Sequence, residues 1–446
     1  MDFRQVMPTT KILACIFAAS QFVSGSSALR IDGNSNGQFP LQNAHEIAQN
    51  GRGDQSHLAA ECSGYSFPQV LCINRYGSLI RGDFERKVRN VLGDGDTYPS
   101  TNAPGEPTMS HVSDADFLVW DVDLGLEILG PNPTVDFMFT VEPVSHEAPV
   151  YAPTTNELYF SRLQKNFLPQ LVIDLNNDPP TLSECLASPP IYAAAGGRFY
   201  KGLLYFASIG GNASLEGHSF RPGIYTLDPR TGESKAVVNN YYGYYFNAAD
   251  DLDIDDDGQI WFTDNNYGRP VHVNTYAPQN SVGTYRFNMT SGLVALVEDT
   301  LREPNGATFS PDKKTLYLSD TGAGSSVIDE NVIPVPSIHI NSTGPRTLYA
   351  YDVSKSRKAL LNKRPIYRAM DYAPDGVKIS REGYIVTATG HGVDVLSADG
   401  EPLVRVQTNF TVINIAWAGK ESDELWAVGK GGVARIRWAL NGPIVE

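Results

Sequence analysis

Six short aromatic-rich strand cores recur along the chain, and no other feature restricts its fold as strongly. They are Leu158-Tyr159-Phe160, Leu204-Tyr205-Phe206, Ile260-Trp261-Phe262, Leu316-Tyr317-Leu318, Tyr384-Ile385-Val386 and Leu425-Trp426-Ala427. Their spacing lies between 40 and 69 residues, and each follows a polar turn. Most are followed by a further strand-like run, as at 223–228, 283–288, 347–352 and 392–396. Recurrence at this period is the mark of a radial repeat, which predicts an all-β, six-bladed β-propeller over residues 111–446. A β-sandwich needs no such recurrence, and a parallel α/β fold needs amphipathic helices that the repeat lacks. The 22 Tyr and 19 Phe, punctuated by 40 Gly and 29 Pro, suit short strands joined by turns.

The first part of the chain has a different texture. Residues 1–28 read as a secretory signal peptide: Arg4 and Lys11 precede an apolar run at 12–23, and Ser26, Ser27 and Ala28 offer a cleavage site. That run is short for a membrane span, so no stable membrane insertion is expected once the signal is removed. Residues 29–110 are polar and loop-rich, with a weak helical stretch at 83–91, and are expected to form an N-terminal extension. Sequons at Asn212, Asn288, Asn341 and Asn409 fit N-glycosylation of a secreted protein. Beyond the signal, Cys62, Cys72 and Cys185 remain. Cys62–Cys72 is the preferred disulfide in an oxidising compartment, with Cys62–Cys185 and Cys72–Cys185 still open. A net charge of −15 argues against nucleic acid as a partner, because the field of the chain repels phosphate. Oligomeric state is not legible.

In a propeller the innermost strands begin around a central channel, so side chains from several blades converge there. Glu147, Asp250, Asn305 and Asp375 each precede one of the recurring strand cores. Pro-Asn-Gly and Pro-Asp-Gly, which contain Asn305 and Asp375, are also ordinary turn sequences. Their recurrence at matching places favours a site instead. Four hard oxygen ligands suit Ca²⁺ or another divalent cation, and no soft ligand competes. The run Asp253-Ile254-Asp255-Asp256-Asp257-Gly258 resembles an EF-hand loop, but its flanks read as strands, which predicts a tight β-turn.

Four segments carry a specific resemblance: ILGPNPTVDFMFTVEPVSHEAPVY, NNYYGYYFNAADDLDIDDDGQIWFTDNNYG, LREPNGATFSPDKKTLYLSDTGAG and APDGVKISREGYIVTATGHGV. Residues 117–440 resemble the gluconolactonase and senescence marker protein 30-like family, especially its fungal secreted lactonohydrolase branch. The resemblance implies a six-bladed propeller with one divalent metal at its axis, ligated at Glu147, Asn305 and Asp375. The family usually carries Asn where this chain has Asp250. A third carboxylate is expected to bind a cation more tightly and to damp its Lewis acidity, or to raise the pKa of one of the acids.

The implied activity is metal-dependent opening of a small polar lactone, aldonolactone- or pantolactone-like, or an intermediate of secondary metabolism. The carbonyl would be polarised by Ca²⁺, and water activated by a carboxylate, Asp375 first and Asp250 second. His391 and His272 are candidate substrate-binding residues, while His146 is expected to point away from the metal and pack. Phosphotriester or ester hydrolysis on the same metal is an alternative, as is a non-catalytic ligand-binding propeller with structural calcium. No Gly-Xaa-Ser-Xaa-Gly elbow supports a serine hydrolase.

Overall fold

The computed structural model describes residues 57–74, 80, 82–86, 97–325 and 338–444. The signal segment 1–28, most of the first part of the extension and Lys87–Val91 of the expected helix lie outside the described residues. The rest of that expected helix, residues 83–86, is not helical; Glu85 instead makes an isolated antiparallel bridge with Asn102.

The fold is all-β with few helices. Four separate antiparallel sheets have four strands each. The first is His146–Ala152, Glu157–Arg162, Gln170–Asp174 and Thr181–Cys185. The second is Ala194–Tyr200, Leu203–Ser208, Gly223–Leu227 and Ser234–Val238. The third is Ala249–Ile254, Gln259–Asp264, Gly283–Asn288 and Val294–Glu298, and the fourth is Pro304–Phe309, Thr315–Asp320, Thr347–Val353 and Leu360–Arg368.

Apart from two two-stranded sheets, Asn212–Leu215 with His218–Phe220 and Gly324–Ser325 with His339–Ile340, the remaining described strands join into one ten-stranded sheet, because the long strand Pro402–Ala418 is shared between units. Its first part completes a unit begun by Val377–Ile379, Ile385–Ala388 and Gly390–Leu396. Its second part starts another with Glu424–Lys430 and Gly432–Arg437. Thr134–Thr140, from early in the chain, pairs with Gly432–Arg437 and supplies the outer strand of that last unit.

Each aromatic core picked out by the repeat falls in, or at the start of, the second strand of its unit. These side chains are buried between neighbouring sheets. Phe160 and Trp426 meet in one cluster, and Phe206 packs with Ala148 and Val150 in another. The first strands abut in cyclic order: 146–152 against 194–200, then 249–254, 304–309, 377–379 and 402–418, which returns to 146–152. Burying a Phe or Leu side chain between sheets stabilises by about 1.5–3 kcal/mol, so the aromatic repeat also holds the ring together.

The described part of the N-terminal region adds strands to this body. Phe117–Val119 pairs with Pro402–Ala418, and Val70–Ile73 pairs in parallel with Phe117–Val119. Ala59–Glu61 then pairs with Val70–Ile73, and the Cys62–Cys72 disulfide closes this pair. Cys185 is a free, half-buried thiol on the outermost strand of the first sheet. A short α-helix, Val122–Leu129, was not anticipated from the sequence. Asp121 caps it by accepting the Leu124 N–H at 3.0 Å, and Gly130 ends it with φ 65°. Among the described residues, no helix is long and apolar enough to cross a membrane.

Candidate functional site

Asp250 and Asn305 are each the second residue of a first strand, as is Glu147; Asp375 lies two residues ahead of Val377–Ile379. Their side chains open onto one cavity of about 670 Å³ that is continuous with solvent. Each ligand-bearing strand breaks register at its polar residue: between Glu147 and Val150, between Ala249 and Leu252, and between Pro304 and Ala307. Such irregularities re-aim side chains that a regular ladder would send to the sheet faces. Pro304-Asn305-Gly306 is therefore part of a strand, and its glycine serves close approach. A Cβ at Gly306 would lie 2.2 Å from the Asp375 carbonyl oxygen, and one at Gly376 would lie 2.1 Å from Asn414 Oδ1.

Two repeated contacts hold the approach to these residues. Asp264, at the end of a second strand, accepts the N–H groups of Asn247 and Ala248 at 3.1 and 2.7 Å. Asp320, at the same place in the next sheet, accepts those of Arg302 and Glu303 at 2.9 and 3.0 Å. The clamped residues precede Asp250 and Asn305 by the same two and three positions. Between sheets, Thr263 Oγ1 donates to the Asn305 carbonyl at 2.6 Å, and Ser319 Oγ to the Asp375 carbonyl at 3.3 Å. The loop before Asp375 is anchored by buried Arg405, which pairs with Asp371 at 2.5 Å and Asp394 at 2.8 Å. Arg86 adds a second contact to Asp371 at 2.6 Å, holding a loop in which Tyr372 has φ 42°.

The electrostatics are those of crowded acids. Burial, then repulsion from Asp375 and Asp250, pushes the Glu147 carboxyl well above its usual range; the Asn414 amide, 3.1 Å away, partly opposes this. Asp250 is raised in the same way by burial and Asp375, and is relieved by the Asn265 amide at 2.7 Å. Burial raises Asp375 to about 7, against the Lys430 ammonium and hydrogen bonding with Asn305. Asp375 Oδ1 is buried and has no hydrogen-bond partner within the protein. Adjacent Asp251 is committed elsewhere: it accepts the Leu252 and Ala307 N–H groups and pairs with Lys378 at 3.4 Å.

Among the described residues, no group of three or more His, Cys, Asp or Glu side chains is arranged to hold a metal ion by itself. The donor set is open: three carboxylates and the Asn305 amide around a shared space. Buried carboxylates that repel one another, one with an orphaned oxygen, are what a hard divalent cation would neutralise, so these residues fit such an ion.

The two histidines expected at the substrate do not line the cavity. His272 is exposed at a turn with φ 64°, and its neighbour Val271 takes the place on the wall. His391 lies on Gly390–Leu396, two strands out from the strand that follows Asp375. His146 is fully buried; its Nδ1 lies 2.9 Å from the carbonyls of Val144 and Gly429, and its ring packs on Phe160. The EF-hand-like run is a β-turn in which Asp255 binds the backbone of Asp257 and Gln259 and the Trp261 indole. None of the four sequon asparagines is buried.

Sequence reasoning missed Asn265, Asn414, Lys430, Tyr267 and Tyr372. Asn414 carried a signal, as a lone amide in the apolar run Val412-Ile413-Asn414-Ile415. Asn265 depends on the register of its own hairpin, and the others on how separate parts of the chain meet.

The SMP-30/gluconolactonase/LRE-like family description matches residues 146–328 and 337–428. The lactonohydrolase oryL of Aspergillus oryzae is 69% identical over 409 residues, covering 92% of this chain and 93% of that protein. Among solved structures, a gluconolactonase from Xanthomonas campestris superposes with a TM-score of 0.58 at 22% identity, over 72% of this chain and 93% of the other. A calcium-binding regucalcin from Agrobacterium tumefaciens superposes with a TM-score of 0.50 at 15% identity, over 69% of this chain and 95% of the other.

Proposed function

This chain belongs to the SMP-30/gluconolactonase/LRE-like family, and from that premise we propose that it is a lactone-hydrolysing enzyme acting in the cavity of Glu147, Asp250, Asn305 and Asp375. The observation that carries this reading is the convergence of those four groups with a buried, unpartnered oxygen on Asp375. The four-stranded units are read as six blades of one propeller, supported by the cyclic contact of their first strands.

Glu147, Asp250, Asn305 and Asp375 would hold the divalent cation, with Ca²⁺ the preferred ion for an all-oxygen set. Once bound, the cation supplies Lewis-acid polarisation of the lactone carbonyl and charge against the developing oxyanion. Asp375 Oδ1 is placed to accept a proton from water as the water oxygen bonds to the carbonyl carbon. As the ring C–O bond breaks, the same carboxyl returns that proton to the departing alkoxide, and a hydroxy acid results. Lys430 holds positive charge at the cavity, offsetting the acids. Asp250 is the second candidate for the proton, held by Asn265.

Secretion through a signal at 1–28 and glycosylation at Asn212, Asn288, Asn341 and Asn409 belong to the same reading, supported by the accessible sequons. The direct test is Asp375→Asn, which keeps the volume and removes the base. Turnover, measured as acid release, should fall by about a thousandfold or more with the circular dichroism spectrum unchanged. Retained turnover in a folded Asp375→Asn protein would contradict the assignment.

A further inference from the structure

The cavity has two chemically distinct parts. Acids, an amide, hydroxyls and Lys430 make up one. Leu163, Ile209, Val271, Ala373 and Ile413 make up most of the other, an aliphatic wall contributed by separate parts of the ring. Leu163 and Ile209 stand at the same end of their sheets as the acids: the Leu163 N–H bonds the carbonyl of Ser145, just ahead of Glu147, and the Ile209 N–H that of Ala193. Leu163, Ile209, Ala373 and Ile413 are nearly buried, so their shape is set by packing.

From this wall we infer that the enzyme acts on a lactone bearing an apolar, alkyl-like substituent, in place of the small polar lactone, aldonolactone- or pantolactone-like, expected from the sequence; the inference rests on the lactone-hydrolase reading above. A sugar lactone would press hydroxyls against aliphatic side chains, where they lose water without gaining a partner. The Tyr267 phenol offers little help. Tyr267 Oη already engages the carbonyl of Thr321 at 3.0 Å, its hydroxyl at 2.8 Å and the carbonyl of Gly324 at 2.6 Å. The histidine expected to bind substrate, His272, faces solvent, and Val271 presents methyl groups instead. An alkyl chain, by contrast, leaves water for a preformed aliphatic surface while the carbonyl remains with the acids.

The test uses the full chain with Ca²⁺ and follows acid release from δ-valerolactone, δ-hexalactone, δ-octalactone and glucono-δ-lactone, corrected for spontaneous hydrolysis. The expected result is a kcat/KM that rises about threefold for each added methylene. Glucono-δ-lactone should be the poorest of the four. A preference for glucono-δ-lactone overturns the inference and leaves the hydrolase reading standing. Failure to open any of these lactones overturns the hydrolase reading, and the inference with it. Val271→Thr, which keeps shape and adds a hydroxyl, should cut the preference for δ-octalactone over δ-valerolactone by about threefold, through KM. An unchanged preference in that variant counts against the aliphatic wall as its source.

Discussion

Asn265 donates its side-chain amide to Oδ2 of Asp250 across 2.7 Å, and its second contact is the Pro304 carbonyl at 3.2 Å. The acid that replaces the family's usual asparagine is thus met by a donor on the adjacent strand, at a point where burial and Asp375 disfavour its charge.

Asp250→Asn should therefore fold normally, since an amide can still offer its oxygen to Asn265. Removing one of the three acids should weaken Ca²⁺ binding by about tenfold, because affinity at all-oxygen sites follows ligand charge. The metal-free protein should become more stable by about 1–2 kcal/mol, as one buried like charge is gone. Calorimetric Ca²⁺ titration and urea unfolding in chelator check both effects; unchanged Ca²⁺ affinity would remove Asp250 from the ligand set.

Asp320 binds the backbone that leads to Asn305, and Thr263 binds the carbonyl of Asn305 from the neighbouring sheet. Asp320→Ala leaves the Arg302 and Glu303 N–H groups without these acceptors and should cost about 2–4 kcal/mol. Thr263→Val removes the hydroxyl that donates to the Asn305 carbonyl and accepts the buried Asp251 N–H at 3.0 Å, and should cost about 1–3 kcal/mol. In both variants Ca²⁺ affinity should fall along with stability. Thermal unfolding with and without Ca²⁺ separates the two effects.

Acid stability depends on a different carboxylate. Burial opposes the charge of Asp253, but Lys313, Arg198 and the Phe309 and Ile254 N–H groups outweigh it and hold the pKa at about 2. A pKa depressed on folding contributes stability above the unfolded value, and that contribution is lost as pH falls through the folded one. For Asp253 it amounts to about 2 kcal/mol, lost between roughly pH 4 and pH 2. Asp253→Asn should be less stable than the parent at pH 5, and the gap should close by about that amount as pH falls to 2. Parallel urea titrations at each pH measure the difference.

The ring was legible because a blade cannot bury its aromatic face alone, so Phe160, Phe206, Phe262 and Trp426 had to recur at matching places. The polar residues at Glu147, Asp250, Asn305 and Asp375 were legible for the same reason, being repeated against an apolar background. Asn265 and Lys430 were not: Asn265 meets Asp250 only because Ala249 pairs with Asp264 in their hairpin, and Lys430 acts on Asp375 from a separate unit. His272 and His391 misled because residue type suggested chemistry, while a left-handed turn at His272 and placement on the third strand of its unit at His391 decided where the side chain went. The aliphatic wall escaped notice because Leu163, Ile209, Val271, Ala373 and Ile413 are spread along the chain, and each alone reads as core. The helix Val122–Leu129 was hidden by its length of 8 residues, too short for a clear periodic pattern.

Under the proposed function, the four oxygen-bearing side chains hold a divalent cation needed to open a lactone. The most direct measurement is acid release from δ-octalactone by protein stripped with chelator and then titrated with Ca²⁺, with circular dichroism recorded at each step. On the proposed function, stripping abolishes turnover while the β-sheet spectrum persists, and Ca²⁺ restores turnover in proportion to the sites filled. Full turnover by folded, metal-free protein would contradict it.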